Sequence, residues 1–351
     1  MQDPRYRVVR LKLPMDATSF ESIVAQQPSI EFSVRSAAGD GAAAWQALAA
    51  AHCYHVSSAK DDMARQWFVG PELLQRCPQL LAVSTYGAGY DTVDVAACTQ
   101  AGVCVVNQAG SNAAAVAEHT LGLMLGLSKR IGESDRRLRR GERFTRQDAI
   151  GSDLDGRTLG LVGIGHAGGR TAVLGRAFGM AVLACDPLLE PQEIVRRGAE
   201  PVALAELLQR SDVVSLHCPL NEATTGLFGA SAFAAMKPGA LFITTARGGI
   251  HDEAALFQAL ASGHLGGAGL DVWATEPPAA DHPLLGLDNV LATMHTAGVT
   301  YGSRRQMASM AANQIIALAC GARPPRLVNP EVWRAYCGRF ESSFGRAPEG
   351  L

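Results

Sequence analysis

The sequence predicts an α/β protein made of two doubly wound parallel sheets, each covered by helices. Two observations support this fold class. The chain has 351 residues, which suits two domains of roughly 100–200 residues each. Short apolar segments alternate with helical segments over about the first 110 residues, and the alternation recurs over 158–294. We place one domain at 1–111 and 301–351, and the other at 112–300.

Composition and charge exclude several classes of protein. The chain is 48% hydrophobic and 18% charged, and its net charge of −2 provides no field that would attract nucleic acid or an anionic membrane. Residues 1–14 contain no apolar core, so we expect no signal peptide. The longest apolar stretch, 116–127, contains Glu118 and His119 and is too short to span a bilayer.

The cysteines are scattered and form no C-x-x-C pair: Cys53, Cys77, Cys98, Cys104, Cys185, Cys218, Cys320 and Cys337. Most lie in apolar segments. We interpret them as reduced core residues of a cytoplasmic protein, not as a disulfide framework. No cluster of His, Cys and Asp has metal-ligand spacing, so we expect no metal.

The first domain alternates strand and helix. Strands are predicted at 6–13, 30–34, 53–56, 81–85 and 103–106, and helices at 43–51, at 71–76 and shortly after Asp91. This order favours a small parallel sheet.

A long helix is predicted to begin near Ala113, capped by Ser111 and Asn112, and to continue towards Arg140 with a basic face. One interpretation of that face is nucleic-acid binding. However, acidic residues interrupt it at Glu133, Asp135 and Glu142, and no aromatic stacking platform accompanies it. We therefore favour a solvated or subunit-facing helix surface.

The second domain is predicted to have strands at 159–163, 181–185, 212–216, 240–244, 266–270 and 290–293. A further helix is expected over 301–320. Aromatic residues then recur at helical spacing over 333–344. We interpret this stripe as a docked terminal helix, with a partner surface as the alternative.

A glycine-rich turn lies between two predicted strands of the second domain. Gly163, Gly165 and Gly168 match G-x-G-x-x-G, a helix follows, and Asp186 ends the next strand. These glycines permit a tight turn, close approach of a pyrophosphate, and close packing of helix against strand. The helix N-terminus offers N–H groups to phosphates, and the carboxylate accepts hydrogen bonds from a ribose. The pattern predicts a Rossmann-like site that prefers NAD to NADP. The alternative is a plain βαβ unit with a glycine-rich turn.

Polar side chains follow the predicted strands of this domain. Arg247 follows the fourth strand, Glu276 the fifth and His295 the sixth. Because ligands of doubly wound sheets lie beyond the carboxyl ends of the strands, we expect the three to converge. A guanidinium binds a carboxylate, an imidazole protonates an alkoxide, and a carboxylate orients the imidazole. The set suits hydride transfer to a 2-oxo acid. Taken singly, Arg247 and Glu276 have a loop-surface alternative, and His295 a core alternative.

The chain resembles the D-isomer-specific 2-hydroxyacid dehydrogenase family, which includes phosphoglycerate, glycerate/hydroxypyruvate and D-lactate dehydrogenases. The resemblance covers roughly residues 80–330. Besides the glycine turn, it rests on GAGYDTVDVAA, AGVCVVNQAGSNAAAVAEHTLGLML, ARGGIHDEAALFQAL, GAGLDVWATEPP and HTAG.

The resemblance implies that Arg247 binds substrate, that His295 is the acid–base group and that Glu276 is its partner. It also implies that the backbone amides of Ala88 and Gly89 bind the substrate carboxylate. The implied cofactor contacts are Gly163, Gly165, His166, Ala167, Gly168, Asp186, His217, Pro219, Thr224, Thr245, Ala246, Asp271 and Gly298. It further implies an active-site cleft between the two domains and a homodimer formed through the cofactor domain, with the 113–140 helix as a contributor.

The chain departs from the family pattern at a few positions. Met294 stands where proline usually precedes the catalytic histidine, Thr244 replaces an asparagine, and Ala167 replaces an isoleucine. At 57–58 two serines stand where phosphoglycerate members often carry an arginine, which weakens the case for a phosphorylated substrate. Lys60 nearby is a possible contact for an anionic tail.

None of the other histidines is predicted to be catalytic. His166 is expected to contact phosphate through its backbone. His251, His264 and His282 are interpreted as structural, and so is the imidazole of His217, although its position falls among the implied cofactor contacts. His119, which follows Glu118 in a helix, stays ambiguous.

The resulting hypothesis is an NAD-dependent oxidoreductase that interconverts a small D-2-hydroxy acid and its 2-oxo acid. Two alternatives stay open: a non-enzymatic NADH-sensing, corepressor-like binding protein, and an NADP-linked glyoxylate/hydroxypyruvate reductase. No nucleic-acid or membrane partner is expected.

Overall fold

The computed structural model describes residues 5–12, 18–37 and 41–348. The chain divides into two compact units, one comprising Met1–Asn112 with Tyr301–Leu351 and the other Ala113–Thr300. Each unit contains a parallel sheet with helices on both faces. The predicted fold class of two parallel-sheet α/β domains is therefore confirmed.

The strands are β1 (Tyr6–Leu11), β2 (Ile30–Arg35), β3 (Cys53–Ser57), β4 (Ala82–Tyr86), β5 (Cys104–Val106), β6 (Thr158–Val162), β7 (Ala181–Cys185), β8 (Glu200–Pro201), β9 (Val213–Leu216), β10 (Leu241–Thr244), β11 (Gly267–Leu270) and β12 (Val290–Ala292). The α-helices are α1 (Thr18–Val24), α2 (Ala42–Ala49), α3 (Pro71–Arg76), α4 (Val95–Gln100), α5 (Ala113–Ser128), α6 (Ile131–Arg139), α7 (His166–Ala177), α8 (Pro191–Arg196), α9 (Leu204–Arg210), α10 (Ala230–Ala235), α11 (Glu253–Ala261), α12 (Tyr301–Cys320) and α13 (Trp333–Phe344).

The first unit is built on a sheet with the strand order β2-β1-β3-β4-β5. Side chains alternate across it, so Tyr6 and Val8 of β1 enter one core while Val9 and Leu11 enter the other. Helices α1, α12 and α13 cover the first face. The aromatic stripe of α13 is buried there, with Phe340 in that core, as expected of a docked terminal helix.

The second unit is built on a sheet with the order β12-β11-β10-β9-β6-β7-β8, and all of its pairings are parallel. The chain builds outwards from β6 to β8, then returns to β9 and builds in the opposite direction. The order therefore reverses between β6 and β9, and ligands of doubly wound sheets lie at such a reversal, beyond the carboxyl ends of the strands.

The predicted long helix over 113–140 is wrong in one respect, because it is two helices. Helix α5 ends at Ser128, Arg130 adopts a left-handed conformation with φ of 51°, and α6 begins at Ile131. The apolar face of α5 packs on the sheet, whereas no residue of α6 is buried. The Ser152 N–H donates to the Ser128 carbonyl at 2.7 Å, so the returning chain closes the end of α5. The short strand β8 is also absent from the sequence prediction.

Candidate active site

The glycine turn joins β6 to α7. Gly163 has a φ of 90°, and a Cβ there would lie 2.9 Å from the Cys218 nitrogen. A Cβ on Gly168 would lie 2.2 Å from the Gly163 carbonyl oxygen. Both positions therefore require glycine, the first for its backbone conformation and both for close packing.

Gly165 differs from its neighbours because a Cβ added there would meet no described atom within 4 Å. Its space opens at the N-terminus of α7, where Gly165 caps the helix without a side-chain hydrogen bond. The first helical N–H groups, those of His166, Ala167 and Gly168, have no partner within a helix by geometry. Open space in front of unpaired amides fits the pyrophosphate of a dinucleotide.

Asp186 lies directly after β7, beside this turn. Its Oδ2 accepts a hydrogen bond from the Ile164 N–H at 3.0 Å, and its Oδ1 accepts one from the Leu188 N–H at 3.1 Å. The carboxylate thus orders the turn, and its predicted contact with a ribose stays a prediction. Each carboxylate oxygen retains a further lone pair for a ligand.

The remaining predicted cofactor contacts lie at the carboxyl ends of β9, β10, β11 and β12. The Thr224 hydroxyl donates to the Pro219 carbonyl at 2.7 Å, and the Thr245 hydroxyl lies 3.2 Å from that of Thr120. Ala246 is buried, and Gly298 lies in the turn after the last strand. The imidazole of His217 is 3.0 Å from the Ser215 hydroxyl, and burial lowers the pKa of His217 to about 4, so it is neutral at pH 7.

The structure brings the three predicted catalytic side chains together. The Nδ1 atom of His295 lies 2.8 Å from Oε2 of Glu276. The second carboxylate oxygen, Oε1, accepts a hydrogen bond from the Trp273 N–H at 3.0 Å, which fixes the plane of the carboxylate. Arg247 follows β10, and its Nη1 donates to the Ala246 carbonyl at 2.7 Å.

The same contacts set the charges of the pair. The hydrogen bond to Glu276 raises the pKa of His295 above its ordinary value, although burial and the Arg247 charge act against it. Burial acts to raise the pKa of the Glu276 carboxyl, but hydrogen bonds from His295 and from the Trp273 N–H outweigh it and leave the pKa lowered. Glu276 is therefore a carboxylate, and His295 retains a proton to higher pH than an isolated imidazole.

The loop that carries His295 is closed around Asp271. The carboxylate of Asp271 accepts from the Thr293 hydroxyl at 2.6 Å, from the Thr296 N–H at 2.8 Å and from the Ala297 N–H at 2.9 Å. Its backbone carbonyl accepts from the His295 N–H at 2.6 Å. His295 takes a φ of 50°, a left-handed conformation that is uncommon for a residue with a Cβ.

Asp271 is 0% exposed, and its carboxylate accepts hydrogen bonds from residues of the histidine loop. This role in closing the histidine loop was missed from the sequence. Its implied contact with the cofactor stays a prediction.

Two other residues of this neighbourhood, Trp273 and the ambiguous His119, make contacts that the sequence did not predict. The indole N–H of Trp273 donates to the Thr293 carbonyl at 3.0 Å. His119 on α5 lies with its Nε2 3.0 Å from the Thr293 hydroxyl. The contact between His119 and Thr293 joins positions 174 residues apart, and no local pattern signals such a contact.

Ala88 and Gly89 lie in the first unit, in the turn after β4. The Ala88 carbonyl accepts from the Asn107 side-chain amide at 2.7 Å. The Ser57 hydroxyl donates to Asp62, and the Ser58 hydroxyl donates to the Tyr86 carbonyl at 2.8 Å. The predicted carboxylate-binding role of the Ala88 and Gly89 amides stays a prediction.

The three histidines interpreted as purely structural, His251, His264 and His282, have internal partners or are buried. His264 lies 3.0 Å from the Phe233 carbonyl, and His282 lies 3.2 Å from Glu253. Burial lowers the pKa of His251 to about 4. His166 is exposed at the first position of α7.

The cysteines are free thiols, most of them buried. Within the described ranges, no group of His, Cys, Asp and Glu side chains could hold a metal ion. None of the helices in those ranges has the length and apolarity needed to cross a bilayer.

Comparisons with known proteins find relatives of this chain in one family. Residues 121–297 match the family model described as D-isomer specific 2-hydroxyacid dehydrogenase, NAD binding domain. The chain is 38% identical over 267 residues to a glyoxylate reductase of Korarchaeum cryptofilum, which covers 75% of this chain and 80% of that one. It is 38% identical over 261 residues to a D-3-phosphoglycerate dehydrogenase of Archaeoglobus fulgidus, covering 74% of this chain but only 49% of that relative.

Among solved structures, a D-lactate dehydrogenase from Aquifex aeolicus, complexed with NAD and lactic acid, is 28% identical with a TM-score of 0.77. The similarity covers 92% of this chain and 98% of that chain. The resemblance stated from the sequence and the prediction of NAD as cofactor are confirmed. The chain belongs to the D-isomer specific 2-hydroxyacid dehydrogenase family.

Proposed function

We propose that this chain is an NAD-dependent oxidoreductase that interconverts a small D-2-hydroxy acid and its 2-oxo acid. The observation that carries the proposal is the 2.8 Å contact between His295 and Glu276 at the end of a sheet that also presents Arg247 and the glycine turn. The set supplies a proton, an ion partner for a carboxylate and a place for a dinucleotide.

The hydrogen bond to Glu276 decides which atom of His295 reacts. Nδ1 is occupied by the Glu276 carboxylate, so Nε2 is the atom that faces the substrate oxygen. In reduction, Nε2 donates its proton to the carbonyl oxygen as C2 gains a hydride. In oxidation, Nε2 accepts the hydroxyl proton. Glu276 stabilises the charged imidazolium in both directions.

Arg247 binds the substrate carboxylate in this proposal. A guanidinium offers a planar pair of N–H donors that matches a carboxylate, and its charge favours the acid over uncharged carbonyl compounds. The ion pair also holds C2 at a fixed distance from Nε2 of His295, which converts an encounter into an oriented reaction.

The dinucleotide, when bound, supplies or accepts the hydride. The amides of His166, Ala167 and Gly168 would hold its pyrophosphate in front of Gly165. The Asp186 carboxylate would accept a hydrogen bond from the adenine-side ribose and would repel a 2′-phosphate, so NAD is preferred.

For the substrate, we propose a small acid without a phosphate group. Ser57 and Ser58 both donate their hydroxyl protons to partners inside the first unit. Relatives named glyoxylate reductase and D-lactate dehydrogenase act on acids of this size class, so glyoxylate, hydroxypyruvate and pyruvate are the first candidates.

We further propose a homodimer in the cytoplasm. Helix α6 exposes the apolar side chains of Ile131 and Leu138, 58% and 68% exposed, on one face of an otherwise charged helix. Light scattering of the native protein and of Leu138→Glu tests the dimer; a monomeric native protein contradicts it.

Free, mostly buried cysteines are consistent with a reducing compartment.

The proposed activity is tested by NADH consumption against glyoxylate, hydroxypyruvate, pyruvate, phenylpyruvate, 2-oxoglutarate and 3-phosphohydroxypyruvate. Turnover of one or more small acids supports the proposal and ranks the substrates. Tight NADH binding without turnover of any member of the panel would contradict it and favour an NADH-sensing protein.

A further inference from the structure

Thr293 uses all of its polar atoms in contacts with two separate parts of the second unit, the segment 270–273 at the end of β11 and helix α5. Its N–H donates to the Leu270 carbonyl at 2.8 Å, and its carbonyl accepts from the Trp273 indole at 3.0 Å. Its hydroxyl contacts Asp271 at 2.6 Å and His119 at 3.0 Å. The residue lies directly after β12 and two positions before His295, so it joins the sheet to the histidine loop.

The direction of the hydroxyl contacts follows from chemistry. A carboxylate only accepts, so the single hydroxyl proton of Thr293 goes to Oδ1 of Asp271. Towards His119 the hydroxyl is then an acceptor, and Nε2 of His119 carries the proton. The result is a directed chain from His119 through Thr293 to the buried Asp271 carboxylate, whose Oδ1 also lies 3.7 Å from Nε2 of His119.

This chain ends at the backbone that flanks the acid–base residue. The oxygen that takes the Thr293 proton also accepts the Thr296 N–H at 2.8 Å, immediately after His295. If the hydroxyl were lost, the buried Oδ1 would lose a donor and the His119 proton would lose its acceptor. Oδ1 would keep the Thr296 N–H, so the change removes one hydrogen bond to a buried charged group, and we expect the carboxylate and the loop to rearrange around the donors that remain.

We propose that Thr293 is a positioning residue for the acid–base step, and that His119 holds the Thr293 hydroxyl in the orientation this requires. The inference rests on the proposed function only for its kinetic readout. Neither residue touches the reacting atoms in this proposal. They act by keeping His295 in its left-handed conformation, with Nδ1 against Glu276.

The consequence is measurable at His295 itself. The charged groups that affect its imidazole are Glu276, Arg247 and Asp271. The hydrogen bond to Glu276 raises the pKa of His295. If a change in the loop separates the two side chains, His295 should therefore titrate at a pH closer to that of an ordinary imidazole. A hydroxyl that merely stabilises the fold would leave this titration unchanged.

The test compares Thr293→Val, which removes the hydroxyl at constant shape, with Thr293→Ser, which keeps it. Histidine NMR titration, with the His295 signal assigned from His295→Gln, needs no substrate and is independent of turnover. We expect His295 to titrate at lower pH in Thr293→Val than in the native protein or in Thr293→Ser. With a substrate in hand, kcat for reduction should fall about 10-fold in Thr293→Val, with the KM for NADH within about two-fold.

A second pair makes the result independent of one variant's folding. His119→Gln retains an N–H donor at the Nε2 position, whereas His119→Leu removes it, so only His119→Leu should repeat the Thr293→Val effects. Thr99→Val is the matched control, because it also removes a hydroxyl that accepts a side-chain N–H, here from Asn329 at 2.9 Å in the first unit. An unchanged His295 titration in both Thr293→Val and His119→Leu, or equal shifts in Thr293→Val and Thr293→Ser, would overturn the proposal.

Discussion

Glu276 contacts His295 through one carboxylate oxygen and the Trp273 backbone through the other, at 2.8 Å and 3.0 Å. The carboxylate is therefore held through both of its oxygens, and it cannot rotate away from the imidazole without also losing the hydrogen bond from the Trp273 N–H. The His295 side chain is 43% exposed while that of Glu276 is 18% exposed. The pair thus presents an accessible imidazole against a shielded carboxylate, and four predictions follow from this arrangement and from the glycine turn.

Replacing His295 by alanine removes the acid–base group. We expect reduction of the substrate to fall about 10²–10⁴-fold, the usual contribution of a positioned acid or base, with NADH affinity retained. Turnover and NADH fluorescence titration measure the two effects. His264→Gln, which alters a histidine bound to the Phe233 carbonyl, is the control and should keep full activity. Near-native turnover by His295→Ala would remove His295 from the mechanism.

Replacing Glu276 by glutamine changes the pH profile. Reduction requires protonated His295, so its rate declines as pH rises through the pKa of that group. Because the hydrogen bond to the Glu276 carboxylate raises this pKa, Glu276→Gln should lower it, and the decline of kcat/KM should begin at lower pH. The comparison is with Glu253→Gln, a neighbouring carboxylate bound to Ala274 and His282. Identical profiles for the native protein and Glu276→Gln would refute the pairing.

Gly165→Ala should affect NADH binding, whereas Gly168→Ala should affect the stability of the fold. A Cβ at Gly165 meets no described atom within 4 Å, so the fold should persist while the added methyl group occupies the predicted pyrophosphate position. We expect NADH affinity to fall about 10-fold or more in Gly165→Ala, with an unchanged Tm. A Cβ at Gly168 lies 2.2 Å from the Gly163 carbonyl oxygen, so Gly168→Ala should lose about 1–3 kcal/mol of stability or more.

Calorimetric titration measures NADH affinity and thermal unfolding measures Tm, so together they distinguish the two glycine variants. Unchanged NADH affinity in Gly165→Ala would place the pyrophosphate elsewhere.

The charge of Asp186 should govern the choice of cofactor. Asp186 also accepts the Ile164 and Leu188 N–H groups, so alanine would disturb the turn together with the charge. Asp186→Asn removes the charge while keeping a side-chain oxygen. We expect the ratio of kcat/KM for NADH to that for NADPH to fall about 10-fold, which corresponds to roughly 1.4 kcal/mol. A ratio that does not change would exclude Asp186 from cofactor discrimination.

The sequence predicted elements best where periodicity was strong. Helix α12 has the predicted bounds of 301–320 because its apolar residues recur at helical spacing, and β7 has those of 181–185 because it is a continuous apolar run. The break between α5 and α6 was missed. Helix propensity is high on both sides of Arg130, and the left-handed residue there depends on the chain returning at Ser152 to meet the end of α5. Such a long-range contact has no local signal.

The candidate site shows the same division. Residue type and order along the chain sufficed to single out Arg247, Glu276 and His295, because each follows a strand of one parallel sheet and such strands end at a common edge. The glycine turn could also be predicted from the sequence, because its spacing reflects backbone constraints that only glycine satisfies.

Only the tertiary structure decided how the acid–base residue is held. His119 on α5, Trp273 after β11 and Thr293 after β12 lie far apart in sequence and meet at one loop. Asp271, predicted as a cofactor contact, proved to be the buried centre of that loop. The sequence by itself determined the fold class and the family, and it predicted the reacting groups, because these follow from local pattern and residue chemistry. The orientation of those groups depends on hydrogen bonds between elements that only folding brings together.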